Sequence, residues 1–207
     1  MRQQFVANVS HELRTPLTVV NGYLETINDE KVSDDLRLRL IGKFATPMNR
    51  MQTLVEDLLL LTQLEASTDI ADPAAVSMAA VIRSAAEELQ SLQNYPDQIT
   101  VRIEADDKVL GLEKELHSVC VNLLSNAIRH SDSSAKIEIS WARINDKVRL
   151  AVMDSGTGIP SEYIDRLTER FFRVDMAGAQ ARGGTGLGLA IVKLSLIHIS
   201  EPTRHRR

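Results

Sequence analysis

A histidine with a carboxylate beside it and a proline just beyond stands near the start of the chain, in Ser10-His11-Glu12-Leu13-Arg14-Thr15-Pro16-Leu17. Pro16 has no N–H and its ring crowds the carbonyl four residues back, so a helix through this segment is expected to bend at Glu12. His11 and Thr15, at i and i+4, share one face. The apolar stripe of Val9, Leu13 and Leu17 lies largely on other positions and leaves His11 toward solvent. An exposed imidazole beside a carboxylate is a candidate nucleophile: Glu12 can hold the ring neutral and take its proton as it is attacked. Adjacent helical residues do not face each other, so Glu12 must reach sideways. From this segment alone, a solvated surface histidine remains the plainer reading. A zinc hydrolase is the weaker alternative, because the second histidine of an i, i+4 ligand pair is missing.

Further on, Asn122, Asn126 and Arg129 gather on one face of the segment Glu113–His130, opposite Leu116, Val119, Cys120, Leu123, Leu124 and Ala127. Asparagine is a poor helix former, and two spaced by four in mid-helix call for a reason. Amide oxygens can ligate Mg2+, whose other ligands are waters and phosphate oxygens, and Arg129 could pair with phosphate. A solvated polar face is the competing reading, and Cys120 is most simply a small core residue. The run Val148–Met153 leads straight into Asp154-Ser155-Gly156-Thr157-Gly158. A carboxylate at a strand end, followed by alternate glycines, can accept a hydrogen bond from an exocyclic amine while the backbone approaches the ligand closely. Finally, Gly183-Gly184-Thr185-Gly186-Leu187-Gly188 precedes a helical pattern, so its N–H groups and the helix end can face phosphate. This is neither the dinucleotide fingerprint nor a P-loop. Met176–Gly184, small and flexible in composition, is expected to be a mobile lid. Phe171 and Phe172 at its entrance read more readily as core anchors than as ligands.

These residues need elements to hold them. Val6, Val9, Leu13, Leu17, Val20, Leu24 and Ile27 step by three or four, and after a polar break a second stripe runs from Ile41 through Phe44, Met48, Met51, Val55, Leu58 and Leu61 to Leu64. Two long helices in an antiparallel hairpin follow. A lone hairpin cannot cover both stripes. A second copy would make a symmetric four-helix bundle; the plainer alternative packs the arm on its own C-terminal domain. Beyond a turn-rich linker, Met78–Leu92 reads as a helix, Ile99–Ile103, Lys136–Ile144 and Val148–Met153 as strands, and Gly186–Lys193 as the start of another helix. This predicts an α+β fold with one sheet covered on one face.

The whole-chain properties narrow the class. The chain has 207 residues, with 24 Lys+Arg against 28 Asp+Glu and a net charge of −4, which lacks the basic excess of a general nucleic-acid binder. One cysteine excludes an internal disulfide framework and a cysteine-built metal site. No apolar run approaches the roughly 20 residues that cross a bilayer, and Met1 opens no signal-peptide pattern. A soluble protein of a reducing compartment, or the soluble part of a larger one, is expected.

Taken together and in this order, the five motifs resemble those of bacterial sensor histidine kinases. His11–Leu17 is similar to the H box, Asn122–Asn126 to the N box, Asp154–Gly158 to the G1 box, Phe171–Phe172 to the F box and Gly184–Gly188 to the G2 box. Val9–Tyr23 and Leu167–Lys193 are most similar to members serving phosphate-starvation signalling. The resemblance implies a dimerisation and histidine-phosphotransfer hairpin over 1–67, a linker over 68–77 and an ATP-binding domain of the gyrase/Hsp90/histidine-kinase type over 78–193. It implies that His11 attacks the γ-phosphate of ATP, that Glu12 is the base and that Thr15 positions water for the reverse, phosphatase reaction. It also makes Asn126 the first Mg2+ ligand, with Asn122 beside it, and brings Arg129 to the phosphates. Asp154 would recognise the adenine amine, with Gly156 and Gly158 allowing close approach. Gly184, Thr185, Gly186, Leu187 and Gly188 would close over the phosphates, with Phe172 and His130 near the nucleotide; the family often has tyrosine where His130 stands. The implied partners are a second copy of the chain and the receiver domain of a response regulator, near Val19, Gly22 and Tyr23. The implied setting is cytoplasmic, with the parent anchored in the inner (plasma) membrane by segments not in this chain. Residues 194–207, with LSLIHISEPTR, resemble translated sequencing adapter, so the ATP domain is expected to be incomplete. A non-catalytic dimerisation and docking module is the alternative in that case.

Overall fold

The computed structural model describes residues 2–66, 73–90, 98–132, 134–174 and 184–200. Residues 176–183 of the lid expected over Met176–Gly184, linker residues 68–72 and the basic end at 204–207 lie outside the described residues. The N-terminal region is a helical hairpin, but its second arm is two helices. α1 (Arg2–Asn28) is followed by α2 (Asp34–Lys43) and α3 (Ala45–Ala66). Pro47 explains the break, because its ring crowds the carbonyl of Lys43, the last residue of α2. Ser33 caps α2 by accepting from Leu36 N at 3.4 Å, with Asp34 and Asp35 in the positive first turn. Arg37 then ties the connection down, donating to Ile27 O and Asp29 O at 3.1 Å each.

The C-terminal region is α+β, as expected, but its strands form two sheets rather than one. β1 (Ala74–Ser77) pairs antiparallel with β3 (Lys108–Gly111). β2 (Gln98–Ile103) pairs parallel with β4 (Lys136–Ile144), which pairs antiparallel with β5 (Lys147–Asp154). β1 falls in the stretch read as linker. Ala-Ala-Val-Ser and Lys-Val-Leu-Gly are each too short to show an alternation, and only their pairing makes them strands. Asn145 turns the β4–β5 hairpin at φ 55°, a left-handed position that asparagine tolerates.

α4 (Met78–Leu89) and α5 (Glu113–Arg129) cover one face of the three-stranded sheet. The register sets Ile99 beside Ile137, Val101 beside Ile139 and Ile103 beside Trp141. Ile137, Ile139 and Trp141 point inward into a core with Ile82, Leu116, Cys120 and Leu124. Burial pushes the Cys120 thiol up to about 12, as suits a small core residue rather than a reactive one.

A second core joins the two regions. Leu54, Leu61 and Leu64 of α3 pack with Leu187 and with Ala190 and Ile191 of α6 (Gly188–Ser200). The arm therefore packs on its own C-terminal domain over the lower half of α3. Farther up the hairpin, Leu17, Leu24, Ile41, Met48 and Val55 stay exposed. α6 also continues through Leu194–Ser200, the first half of the stretch expected to be foreign. There Ile199 packs against the main core and His198 Nδ1 lies 3.1 Å from Glu115 Oε2. Ser195 Oγ and His198 Nε2 are nevertheless buried without a hydrogen-bond partner among the described residues. Orphaned polar atoms of this kind are uncommon in a helix fitted to its surroundings.

Candidate functional site

α5 is the spine of the site. Its residues Asn122, Asn126 and Arg129 recur at i, i+4 and i+7 and so line one side of the helix. Asn122 Nδ2 donates to Ser118 O at 2.9 Å and to Ser118 Oγ at 3.2 Å. That bonding turns its oxygen toward the first residue of α6: a Cβ on Gly188 would stand 2.5 Å from Asn122 Oδ1. At the other end of the glycine segment, Gly184 (φ 120°) lies against Arg129, whose Nη1 would be 3.3 Å from an added Cβ. Asn122 and Arg129 thus face the two ends of the glycine segment.

The turn after β5 meets the C-terminal end of α5. Asp154 is exposed at the strand end, and its Oδ1 accepts from Gly156 N at 2.9 Å. Gly156 is confined: a Cβ there would lie 2.7 Å from His130 O and 2.8 Å from Asp154 Oδ1. His130 is the C-cap of α5, exposed, and it meets this turn through its carbonyl. Gly158 has φ 70° but open space around it.

Phe171 and Phe172 act as anchors. Phe171, at φ 62°, donates its N–H to Gly186 O at 2.8 Å and sets its ring 5.7 Å from Phe5. Phe172, expected near the nucleotide, packs on the 3-10 turn Ser161–Arg166, its ring 6.1 Å from Tyr163 and 4.2 Å from the Arg166 guanidinium carbon. Leu187, also expected among the ligand's neighbours, is fully buried against α3. Only its backbone is left to meet a ligand, and its N–H donates to Thr185 Oγ1 at 3.2 Å.

On the hairpin, His11 is exposed on α1 and Pro16 is buried within the same helix. Thr15 Oγ1 donates back to His11 O at 3.3 Å. Glu12 is half-buried, and its Oε2 accepts from Arg50 Nη2 at 2.9 Å.

Two hairpin residues that the sequence did not single out reach this arrangement, Arg50 and Asp57. Asp57 Oδ2 accepts from Thr185 Oγ1 at 2.7 Å, which docks the glycine segment onto α3. Its only signal in the sequence is an acid set among the leucines of α3. Burial pushes the Asp57 carboxyl above its usual 3.8, against the Thr185 hydrogen bond and the Arg129 charge, which lower it, while Glu56 adds to the rise. Burial likewise lowers Arg129 from its usual value; Asp57 opposes this, while Arg173 and Arg50 add to it.

A pH dependence follows. An acid whose folded-state pKa is raised contributes most below its unfolded pKa, and that contribution is lost as pH rises through the folded value. Docking of α3 on the glycine segment is therefore expected to weaken as pH rises from about 4. Asn at position 57 keeps an acceptor without the charge, so the stability of the wild type relative to Asp57→Asn should fall over that range. Urea unfolding of both proteins at stepped pH measures it; a constant difference would contradict the burial-driven shift.

Both regions of the chain match known families. Residues 1–67 match the family model described as His Kinase A (phospho-acceptor) domain. Residues 111–203 match the one described as histidine kinase-, DNA gyrase B- and HSP90-like ATPase. The phosphate regulon sensor protein PhoR of Pseudomonas aeruginosa is 44% identical over 210 residues, covering 100% of this chain and 46% of that protein. The sensor-like histidine kinase SenX3 of Mycolicibacterium smegmatis is 35% identical over 193 residues, covering 93% of this chain and 50% of its own. The chain thus spans about half the length of these curated relatives. Among solved structures, the Acinetobacter baumannii histidine kinase AdeS superposes with a TM-score of 0.67 at 26% identity, covering 91% of this chain and 86% of that one.

Proposed function

The chain belongs to the sensor histidine kinases, and from that membership we propose that it is the catalytic core of a two-component sensor: it transfers the terminal phosphoryl group of ATP to His11 and then to an aspartate of a response regulator. The observation that carries this reading is a single chain in which an exposed imidazole stands on a helical hairpin and α3 of that hairpin packs directly on the glycine segment. The pocket residues fit such a ligand. Asp154 stands exposed at the strand end, where its carboxylate can accept from an adenine amine, and Gly156 lets the turn close against the His130 carbonyl, where a Cβ would clash. Gly184, at positive φ, brings the backbone against Arg129 of α5, where phosphates would lie.

The metal fits as well. Among the described residues no cluster of three or more His, Cys, Asp or Glu side chains could hold one. Asn126 and Asn122 instead offer amide oxygens, which suit an ion completing its shell with phosphate oxygens and water. Bound there, Mg2+ would neutralise phosphate charge and fix the direction of attack.

The remaining work is done by the chain. One ring nitrogen of His11 forms the bond to phosphorus as the bond to the diphosphate leaving group breaks, and Glu12 receives the proton from the other. Arg129 draws charge from the phosphates. Positioning and charge neutralisation account for most of the acceleration, with little covalent chemistry asked of the protein. In the reverse, phosphatase direction Thr15 orients water against the phosphorylated regulator. The exposed apolar positions of the hairpin suit a second copy of the chain, and Val19, Gly22 and Tyr23 a receiver domain. Tyr23 rests 5.8 Å from the ring of Phe44, which fixes that surface. A role in phosphate-starvation signalling, from a parent anchored in the inner membrane, is proposed on the likeness to PhoR; among the described residues no helix is long and apolar enough to cross a membrane.

Incubation with ATP labelled on its terminal phosphate tests the reading. A histidine kinase yields an acid-labile, base-stable phosphoprotein and passes the label to a receiver domain. Release of free phosphate without an adduct would mean an ATPase instead, and neither event would mean a docking module.

A further inference from the structure

Arg50 belongs to neither the phospho-acceptor motif nor the pocket, yet it touches one and is felt by the other. Its Nη2 bonds Glu12 Oε2 at 2.9 Å across the hairpin, between residues 38 apart in sequence. The two side chains are 30% and 21% exposed, whereas those of the surface pair Arg39–Asp35 are 73% and 74% exposed. A pair so shielded is screened less by solvent and salt.

Two features of α1 make this contact matter. Successive helical side chains diverge by about 100°, so Glu12 has no inherent reason to stay within reach of the His11 ring. Pro16 also removes the N–H that would bond the Glu12 carbonyl, which loosens the helix at that residue. Arg50 supplies the missing restraint from α3. Its bond uses only Oε2 and leaves Oε1 for the imidazole proton. Its charge also acts on Arg129, on the phosphate side of α5, so Arg50 belongs to the zone between the pocket and the hairpin.

We propose that Arg50 is a positioning residue for phosphoryl transfer: by ion-pairing one oxygen of Glu12 across the hairpin, it holds the other oxygen where the His11 proton must go. This rests on the reading of Glu12 as base. As nitrogen bonds to phosphorus and the diphosphate leaves, the imidazole proton passes to Glu12 Oε1, and Arg50 stays bonded to Oε2 throughout. A guanidinium suits this task because it offers several donors in a fixed plane, and an ammonium reproduces the charge but only part of the geometry.

The test is a double-mutant cycle on the chain in its native oligomeric state, reading kcat and the KM for ATP in autophosphorylation. Arg50→Gln should lower kcat about ten- to a hundredfold, with KM for ATP unchanged, since misplacement of this size is costly at a reacting centre. Arg50→Lys should restore part of the loss. In the Glu12→Gln background, removing Arg50 should cost nothing further, because the group it positions is already gone. Additive losses, or a loss confined to KM, would overturn the proposal. If Glu12→Gln slows the reaction and Arg50→Gln does not, the proposal fails while Glu12 remains the base. If Glu12→Gln keeps the wild-type rate, the base assignment fails and takes the proposal with it. Should Arg50→Gln lower the unfolding midpoint, Arg50→Lys carries the cycle, and its smaller loss must likewise vanish beside Glu12→Gln.

Discussion

Replacing His11 with glutamine is expected to abolish stable phosphorylation of the chain while leaving its nucleotide affinity and unfolding midpoint where they were. Glutamine is close to histidine in size and polar, so an exposed position on α1 accepts it, and surface exchanges of this kind stay within about 0.5 kcal/mol. Its amide nitrogen is no nucleophile, so the loss should be complete rather than graded. His11 lies on the hairpin, whereas the residues expected to hold the nucleotide lie on α5, the turn after β5 and the glycine segment. Binding of a fluorescent ATP analogue should therefore be unchanged. Labelled ATP, followed by separation of protein from free phosphate, measures the first effect, and thermal unfolding controls for the fold. Persistent acid-labile label in His11→Gln would transfer the role of acceptor to another residue and remove the central claim.

The second large effect is expected at Gly186. Its φ of 70° places it in the left-handed region, and a Cβ there would stand 2.8 Å from Phe171 Cα and 2.9 Å from Phe171 C. Those are backbone atoms, so no side chain can swing aside. The left-handed conformation alone costs alanine about 1–2 kcal/mol, and relief of the clash requires breaking the bond from Phe171 N to Gly186 O. For stability, read by urea unfolding, Gly158 is the internal control, having the same φ but nothing within 4 Å of an added Cβ. Gly158→Ala should show only the conformational cost. Gly186→Ala should show that cost plus the loss of the Phe171 contact, roughly 1 kcal/mol more for the hydrogen bond. It should also weaken nucleotide binding about tenfold or more, since about 1.4 kcal/mol corresponds to a factor of ten. Urea unfolding of the two variants measures the stability difference, and calorimetric titration of Gly186→Ala against the wild type measures the loss of nucleotide binding. Equal effects at both glycines would show that the Phe171 approach carries no weight.

The residues above differ in how readily the sequence announces them. The face of α5, the exposed His11, the Asp154 turn and the glycine segment are all local patterns. Spacing along one helix, or glycine beside a strand end, is dictated by bonds within a few residues. The strands of the larger sheet were legible for the same reason, since Ile137, Ile139 and Trp141 alternate inward. The break at Phe44 was legible in principle from Pro47, but the continuous apolar stripe across it favoured one helix.

β1 and β3 were not legible. Four residues carry no period, and β1 finds its partner beyond α4 and β2. The same limit hid Arg50 and Asp57. Each is a charged residue on α3 whose importance comes from a partner far along the chain, Glu12 at 38 residues and Thr185 at 128. Local spacing therefore determined which groups could act and on which faces they stand, because backbone geometry repeats over a turn of helix or a pleat of strand. Packing of α3 against the glycine segment decided which of those groups meet. That choice depends on burying Leu54, Leu61, Leu187 and Ile191 together, and hydrophobic burial carries no sequence period linking residues so distant.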